Sequence, residues 1–351
     1  MKRALIVILI LAVAGGLFAQ SFGGGVSSGL ILAFGEDGHS FYTSKSDGGD
    51  QYGYYFGWGW TGDSGRVGGE INAAGGNGDG WNFDGSNIWF KPLDILTIKG
   101  GGGGIGGFGT PGSVGASNDA ADKGVGVNLL LEPITGFGLG LGVGPADGEE
   151  VGKAVYTVGV KYLLSGLANI VANLGYNGGT EAVGAAFGVD VLALSSAGLS
   201  KLAVDVGISG LNDFDGAGKI TVGPRIGFAV GDLSGGLRAN IYLPMGGYAD
   251  SDLNVAANAN VSYPIGAITT GLGVGFQLKD AVTASGKFNP GSWDGLSKNF
   301  SSADSSVLTI NPSISYKVAE AAFSTGYGLR MDIGGAAKMI HEIYTGVSID
   351  F

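Results

Sequence analysis

The sequence predicts an all-β chain: a transmembrane, antiparallel up-and-down β-barrel of about eighteen strands, within a range of about 14–18. Three observations predict it. Apolar residues alternate with glycine or polar residues along most of the chain, as where Phe137, Leu139, Leu141 and Val143 face Gly138, Gly140 and Gly142. A period of two describes a strand with two unlike faces. Connections alternate in length: Pro133–Gly136, Ser195–Gly198, Gly231–Ser234 and Pro264–Ala267 are tight, whereas Leu211–Gly218, Pro244–Asp252 and Lys279–Asp304 are longer and polar. Finally, after Ala19 no run approaches the roughly twenty consecutive apolar residues that a spanning helix needs.

Taken in order, Met1–Ala19 reads as a secretory signal peptide: Lys2 and Arg3, an apolar run from Ala4 to Val13, then Leu17-Phe18-Ala19 before Gln20. The barrel is expected over residues 20–351. Ser21–Phe34 is its first strand, followed by a polar loop over Gly35–Asp50. Tyr52, Tyr54, Phe56, Trp58 and Trp60 then share one face, opposite mostly glycine, which suits a lipid-facing surface with aromatic girdles. Strands follow at Arg66–Ala74, at Asn87–Lys91, and from Ile95 to about Phe108. From Gly124 the rhythm sharpens, with Val125, Val127, Leu129 and Leu131 on one face. Ala154, Tyr156, Val158, Val160 and Tyr162 oppose Lys153, Thr157 and Lys161. Further strands are predicted at 168–177, 181–193, 199–209, 219–230, 234–244, 252–263, 266–278, 305–317, 320–330 and 341–351. No segment is left over for a plug or a separate periplasmic domain.

The last strand, His341–Phe351, sets Ile343, Thr345, Val347, Ile349 and Phe351 on one face and Glu342, Tyr344, Gly346, Ser348 and Asp350 on the other. It resembles the closing strand of bacterial outer-membrane β-barrels, the porins among them. The resemblance implies that Phe351, with Ile343, Val347 and Ile349, forms part of the signal read by the barrel-assembly machinery. It also implies short periplasmic turns, long extracellular loops, and an outer-membrane location reached by secretion through the inner membrane. The implied partners are outer-membrane lipid, that machinery and small hydrophilic solutes, with a homo-oligomer allowed.

Composition excludes other classes. Glycine contributes 72 of 351 residues without a Gly-X-Y period, so collagen fails. Abundant aromatic and β-branched residues argue against disorder. There is no cysteine, hence no lipid anchor on a thiol and no disulfide framework. Losing Lys2 and Arg3 takes the net charge of −11 to about −13, which argues against nucleic acid as a partner.

Catalysis has little to work with. The two histidines, His39 and His341, both fall near the predicted extracellular rim, and His341 shares the apolar parity of its strand. The Gly102, Gly104, Gly107 spacing fits a nucleotide-binding fingerprint, but no helix follows it and glycine is common throughout. Asn77, Asp79, Asn82 and Asp84, or Asp213 and Asp215, offer hard oxygen ligands without the spacing of a calcium loop. Accordingly no enzyme, cofactor or metal is expected.

The face opposite the apolar one is more informative. It carries Lys153, Lys161, Lys201, Lys219, Arg225, Arg238, Lys317 and Arg330 against Glu70, Glu132, Asp190, Asp205, Glu342 and Asp350, with most other acids in loops. Asn254, Asn258, Asn260, Thr309, Asn311, Ser313 and Ser315 add neutral polar lining. Asp205, Arg225, Arg238 and Asn258 fall at similar height on consecutive strands, within about two residues of register. A pore lined this way is expected to pass small hydrophilic solutes by diffusion, leaning weakly towards anions. The alternatives are a transporter for apolar or sugar-like ligands, with Phe288, Trp293 and Phe300 of the longest loop as a lid, and an adhesin or structural barrel with a closed interior.

Overall fold

The computed structural model describes residues 19–35, 38–42, 52–76, 86–102, 108, 126–144, 153–192, 198–213, 218–243, 254–278, 306–333 and 339–350. Phe351, the segment before Ala19, and the loop over 279–304 with its Phe288, Trp293 and Phe300 lie outside them. So do the candidate calcium loop of Asn77 to Asp84 and most of the glycine run after Gly102.

Among the described residues, nineteen strand segments are formed. They are β1 (Ala19–Gly35), β2 (Gly38–Tyr42), β3 (Tyr52–Thr61), β4 (Val67–Gly76), β5 (Asn87–Leu93), β6 (Leu96–Gly101), β7 (Gly126–Ile134), β8 (Phe137–Gly144), β9 (Val155–Leu164) and β10 (Ala168–Asn177). The remainder are β11 (Ala182–Val191), β12 (Leu199–Ser209), β13 (Lys219–Val230), β14 (Leu233–Leu243), β15 (Asn254–Ile265), β16 (Ile268–Gln277), β17 (Ser306–Val318), β18 (Ala321–Ile333) and β19 (Met339–Asp350). Each pairs antiparallel with its sequence neighbour from β3 onward. β1 then pairs with β19 on one side, from Gly25 opposite Asp350 to Gly35 opposite Ile340, and with β2 and β3 on the other. The sheet therefore closes on itself and leaves no edge, as a wall in lipid must.

β2 and β3 share one position, because β2 pairs with Ile31–Gly35 and β3 with Ala19–Ser28 of the same strand β1; the wall thus counts eighteen. The eighteen predicted strands are these positions. β2 corrects the reading of Gly35–Asp50 as loop throughout: Phe41 and Tyr42 extend the first hairpin by pairing with Leu32 and Ile31. A second correction concerns β6, which ends at Gly101 rather than near Phe108. Gly101 takes a positive φ, which turns the backbone out of the extended conformation at that point.

Tight connections recur at one end of the barrel. Gly136, Gly166, Gly231 and Gly266 take positive φ there, which a residue with a Cβ adopts only at a cost. Ala319 does so between β17 and β18. The other end carries the longer connections, with the four residues between β10 and β11 as a short exception. Proline interrupts the ladder locally. No pairing bridges form at Pro224 towards β14 or at Pro312 towards β18, although the register is the same on either side.

Candidate functional site

Strand alternation divides the wall into two surfaces. Outward lie Val127, Leu141, Val160, Leu174, Phe187, Val204, Leu237, Leu272, Ile314 and Ile343, all exposed on the isolated chain. Only lipid or a partner makes such a surface stable. Aromatic rings gather towards both rims. Phe137 and Tyr162 meet near the tight turns, with centroids 6.5 Å apart. Tyr156 and Tyr176 stack at 6.4 Å near the opposite rim. Tyr156 and Tyr162 lie six residues apart on β9, about 20 Å along the strand, so the pair brackets an apolar band.

Inward, side chains are small, polar or charged. Asp205 is 0% exposed, Glu342 1% and Arg330 3%, and Thr157, Asn173, Thr221, Thr309 and Asn311 are also buried. Nearer the tight turns the lining is paired and more open. Lys161 Nζ lies 3.4 Å from Glu132 Oε1, and Lys201 Nζ lies 3.2 Å from Asp190 Oδ2. Towards the other end Arg330 Nε meets Asp332 Oδ1 at 2.7 Å.

One row crosses six strands at a single level. Arg225 on β13 is opposite Arg238 on β14, which is opposite Asn258 on β15, then Gly275, Thr309 and Arg330 on β16, β17 and β18. Directly opposed residues share a face and stand about 5 Å apart, so two guanidinium groups are held side by side. Arg238 Nε donates to Asn258 Oδ1 at 3.0 Å, which fixes the orientation of both. Asp205 sits opposite Gly223, two residues along from the level of Arg225.

Phe108 is the unexpected occupant of the interior. It is 0% exposed and packs with the inward-facing Leu130 and Val171. Its carbonyl accepts a hydrogen bond from Asn173 Nδ2 at 3.0 Å, and Lys161 Nζ stands 5.1 Å from its ring centroid. The ring lies on Gly140 and Gly159, which are opposite each other on β8 and β9. A Cβ on either glycine would come within 2.8 Å of the ring. An aromatic residue from the β6–β7 connection thus sits against the inner wall.

No protein-family model matches the chain, and no curated protein sequence matches it. Solved structures do. OpdQ of Pseudomonas aeruginosa aligns over 95% of this chain and 98% of its own, with a TM-score of 0.57 at 12% identity. OccK8 (OprE) of the same organism aligns over 96% and 100%, with a TM-score of 0.57 at 10% identity. OprD covers 94% and 96%, with a TM-score of 0.53 at 11% identity. The fold is that of the porin-like outer-membrane β-barrels. Identity this low carries the fold, so the solute has to be argued from the lining of this porin-like barrel.

The residues predicted to line the pore are placed as follows. Asp205, Arg225, Arg238 and Asn258 come together within the register offset given above. Lys161 and Lys201 lie on the inward face, each beside an acid. Lys219 opens β13 opposite Ser209, and only its backbone is described. Lys153 precedes β9, which begins at Val155, and is exposed. Ile343, Val347 and Ile349 lie on the outward face of β19, where Ile343 and Ile349 are exposed. His341 shares a hydrogen bond between its Nδ1 and the Tyr327 hydroxyl on the same outward wall, away from the lumen.

Sequence reasoning missed an inward group on β5 and β6. Trp89 faces inward opposite Gly68 and Lys99, and Lys91 Nζ lies 5.5 Å from its ring. The alternation of Ile88 and Phe90 against Trp89 and Lys91 carried that signal. A tryptophan on the polar parity hid it.

Proposed function

We propose that the protein is an outer-membrane, porin-like channel through which small hydrophilic solutes diffuse, with a weak preference for anions. On this reading residues 1–19 are removed on secretion, and the mature barrel from residue 20 is inserted through its closing strand and Phe351. The observation that supports it best is the pair Arg225 and Arg238, opposite each other on the inner faces of β13 and β14. Lys161, Lys201 and Arg330 also face the lumen, each beside an acid. A passing anion meets two adjacent guanidinium groups whose forked donors match carboxylate and phosphate oxygens.

Screening tests it. The Debye length is about 10 Å at 0.1 M salt and about 3 Å at 1 M. Reversal potentials across a KCl gradient in planar bilayers should show an anion preference that grows as salt falls and shrinks in the Arg225→Gln/Arg238→Gln variant. A cation-selective pore, or selectivity indifferent to the double substitution, refutes the assignment of that preference to this pair. A folded barrel without sustained conductance refutes the channel.

A further inference from the structure

We infer that the inner wall carries a subsite for neutral polyhydroxylated solutes, sugars or polyols, in a glycine-floored trough over β16. The floor is Gly271, Gly273 and Gly275, whose inward positions carry no side chain. The register supplies a side chain on each bank. Ser262, Gly271 and Ser313 form one row, Asn260, Gly273 and Asn311 the next, and Asn258, Gly275 and Thr309 the third. The banks, β15 and β17, are two strand spacings apart, about 10 Å between backbones.

Asn311 singles the trough out. Its residue is 4% exposed, yet neither its Nδ2 nor its Oδ1 has a hydrogen-bond partner. A buried amide left without partners opposes folding, and a leucine of similar shape would remove the penalty. A site built to bind hydroxyl groups accounts for the amide, because its donor and acceptor match hydroxyls that both accept and donate. The break in the β17–β18 ladder at Asn311 and Pro312 loosens this bank locally. Asn260 across the floor is exposed, and Ser262, Gly271 and Ser313 are half-buried, so the trough opens towards the tight-turn end.

Charge decides the solute class. On β15, β16 and β17 none of the three rows carries an ionisable side chain; the third continues into Arg238 on β14 and Arg330 on β18. The nearest cations flank the third row: Arg238 donates through Nε to Asn258 Oδ1, and Arg330 through Nε to Asp332 Oδ1. An anion has the arginine pair beside the trough, and an apolar solute would leave the trough's amides without partners.

The inference rests on the channel reading, since the solute reaches the trough through the lumen. The two are separated by measuring binding and conductance on one preparation. Isothermal titration of the folded, detergent-solubilised protein with glucose, maltose and maltotriose should show saturable binding of at least one saccharide. Asn311→Leu should weaken that binding at least about tenfold, the loss expected for a hydrogen-bonding pair, while leaving the unfolding temperature unchanged or raised. Asn260→Leu, on the exposed bank, should weaken it as well, and Lys201→Gln on β12, four strands from the floor, should not. No saturable saccharide binding by the folded wild type, or wild-type binding in both leucine variants, overturns the inference. Conductance without saccharide binding sinks the trough and leaves the channel. Binding without conductance does the reverse.

Discussion

Replacing Gly140 by alanine is predicted to reverse its effect on stability according to what stands at position 108. Non-bonded carbons settle at about 3.5–4.0 Å. A Cβ on Gly140 would reach Phe108 Cε2 and Cζ at 2.8 Å, and one on Gly159 would reach Cδ1 at 2.7 Å. The ring must therefore lift by about 1 Å. Such a lift strains the 3.0 Å hydrogen bond from Asn173 to the Phe108 carbonyl. The floor cannot drop instead, because β8 is laddered to both β7 and β9. Overpacking of this kind costs about 1–3 kcal/mol. Expelling the ring from the lumen forfeits a similar amount, about 1.5–3 kcal/mol of apolar burial. With Phe108 present, Gly140→Ala should lower stability by about 1–3 kcal/mol and raise single-channel conductance towards that of Phe108→Ala. In the Phe108→Ala background the same change should be neutral or stabilising by up to about 1 kcal/mol, because glycine loses more backbone freedom than alanine on folding. Urea unfolding in detergent, combined as a double-mutant cycle, measures the coupling. Equal destabilisation in both backgrounds, or unaltered conductance in every variant, refutes the seat.

The two faces of β19 should respond oppositely to the same charge. Val347→Arg should cost up to about 2–4 kcal/mol, less if the site lies near an interface, whereas Ser348→Arg on the inner face should be nearly neutral. Heat-modifiable mobility and membrane-fraction yield report the difference, and equal effects would mean that the faces are misassigned. Orientation is checked with single cysteines at the rims: Thr180→Cys, in the turn between β10 and β11, should react with an impermeant maleimide on intact cells, and Ser165→Cys, in the turn between β9 and β10, only after the outer membrane is breached. The opposite pattern would invert the barrel.

Alternation with a period of two is a local property, so the sequence by itself determined which face of each strand is apolar. The outward rows of β8, β9 and β19 follow from it, as does the glycine inner face of β8. Tight turns were legible for a similar reason: Gly136, Gly231 and Gly266 mark backbone that needs positive φ. Counting residues outward from the connections at Leu211–Gly218, Gly231–Ser234 and Pro244–Asp252 brought Asp205, Arg225, Arg238 and Asn258 within about two residues of one level, and the pairing register puts the last three opposite one another. What the sequence did not determine depends on residues far apart in the chain. β2 exists because the end of β1 outruns β3 and needs a partner for its backbone. The seat of Phe108 depends on Gly140 and Gly159 being opposite each other on strands that follow it, and Trp89 lies flat only because Gly68 is across from it. A glycine in sequence records an absent side chain. Only the closed wall decides what occupies the space, because occupancy is a matter of register and approach between strands, and neither is written in any one of them.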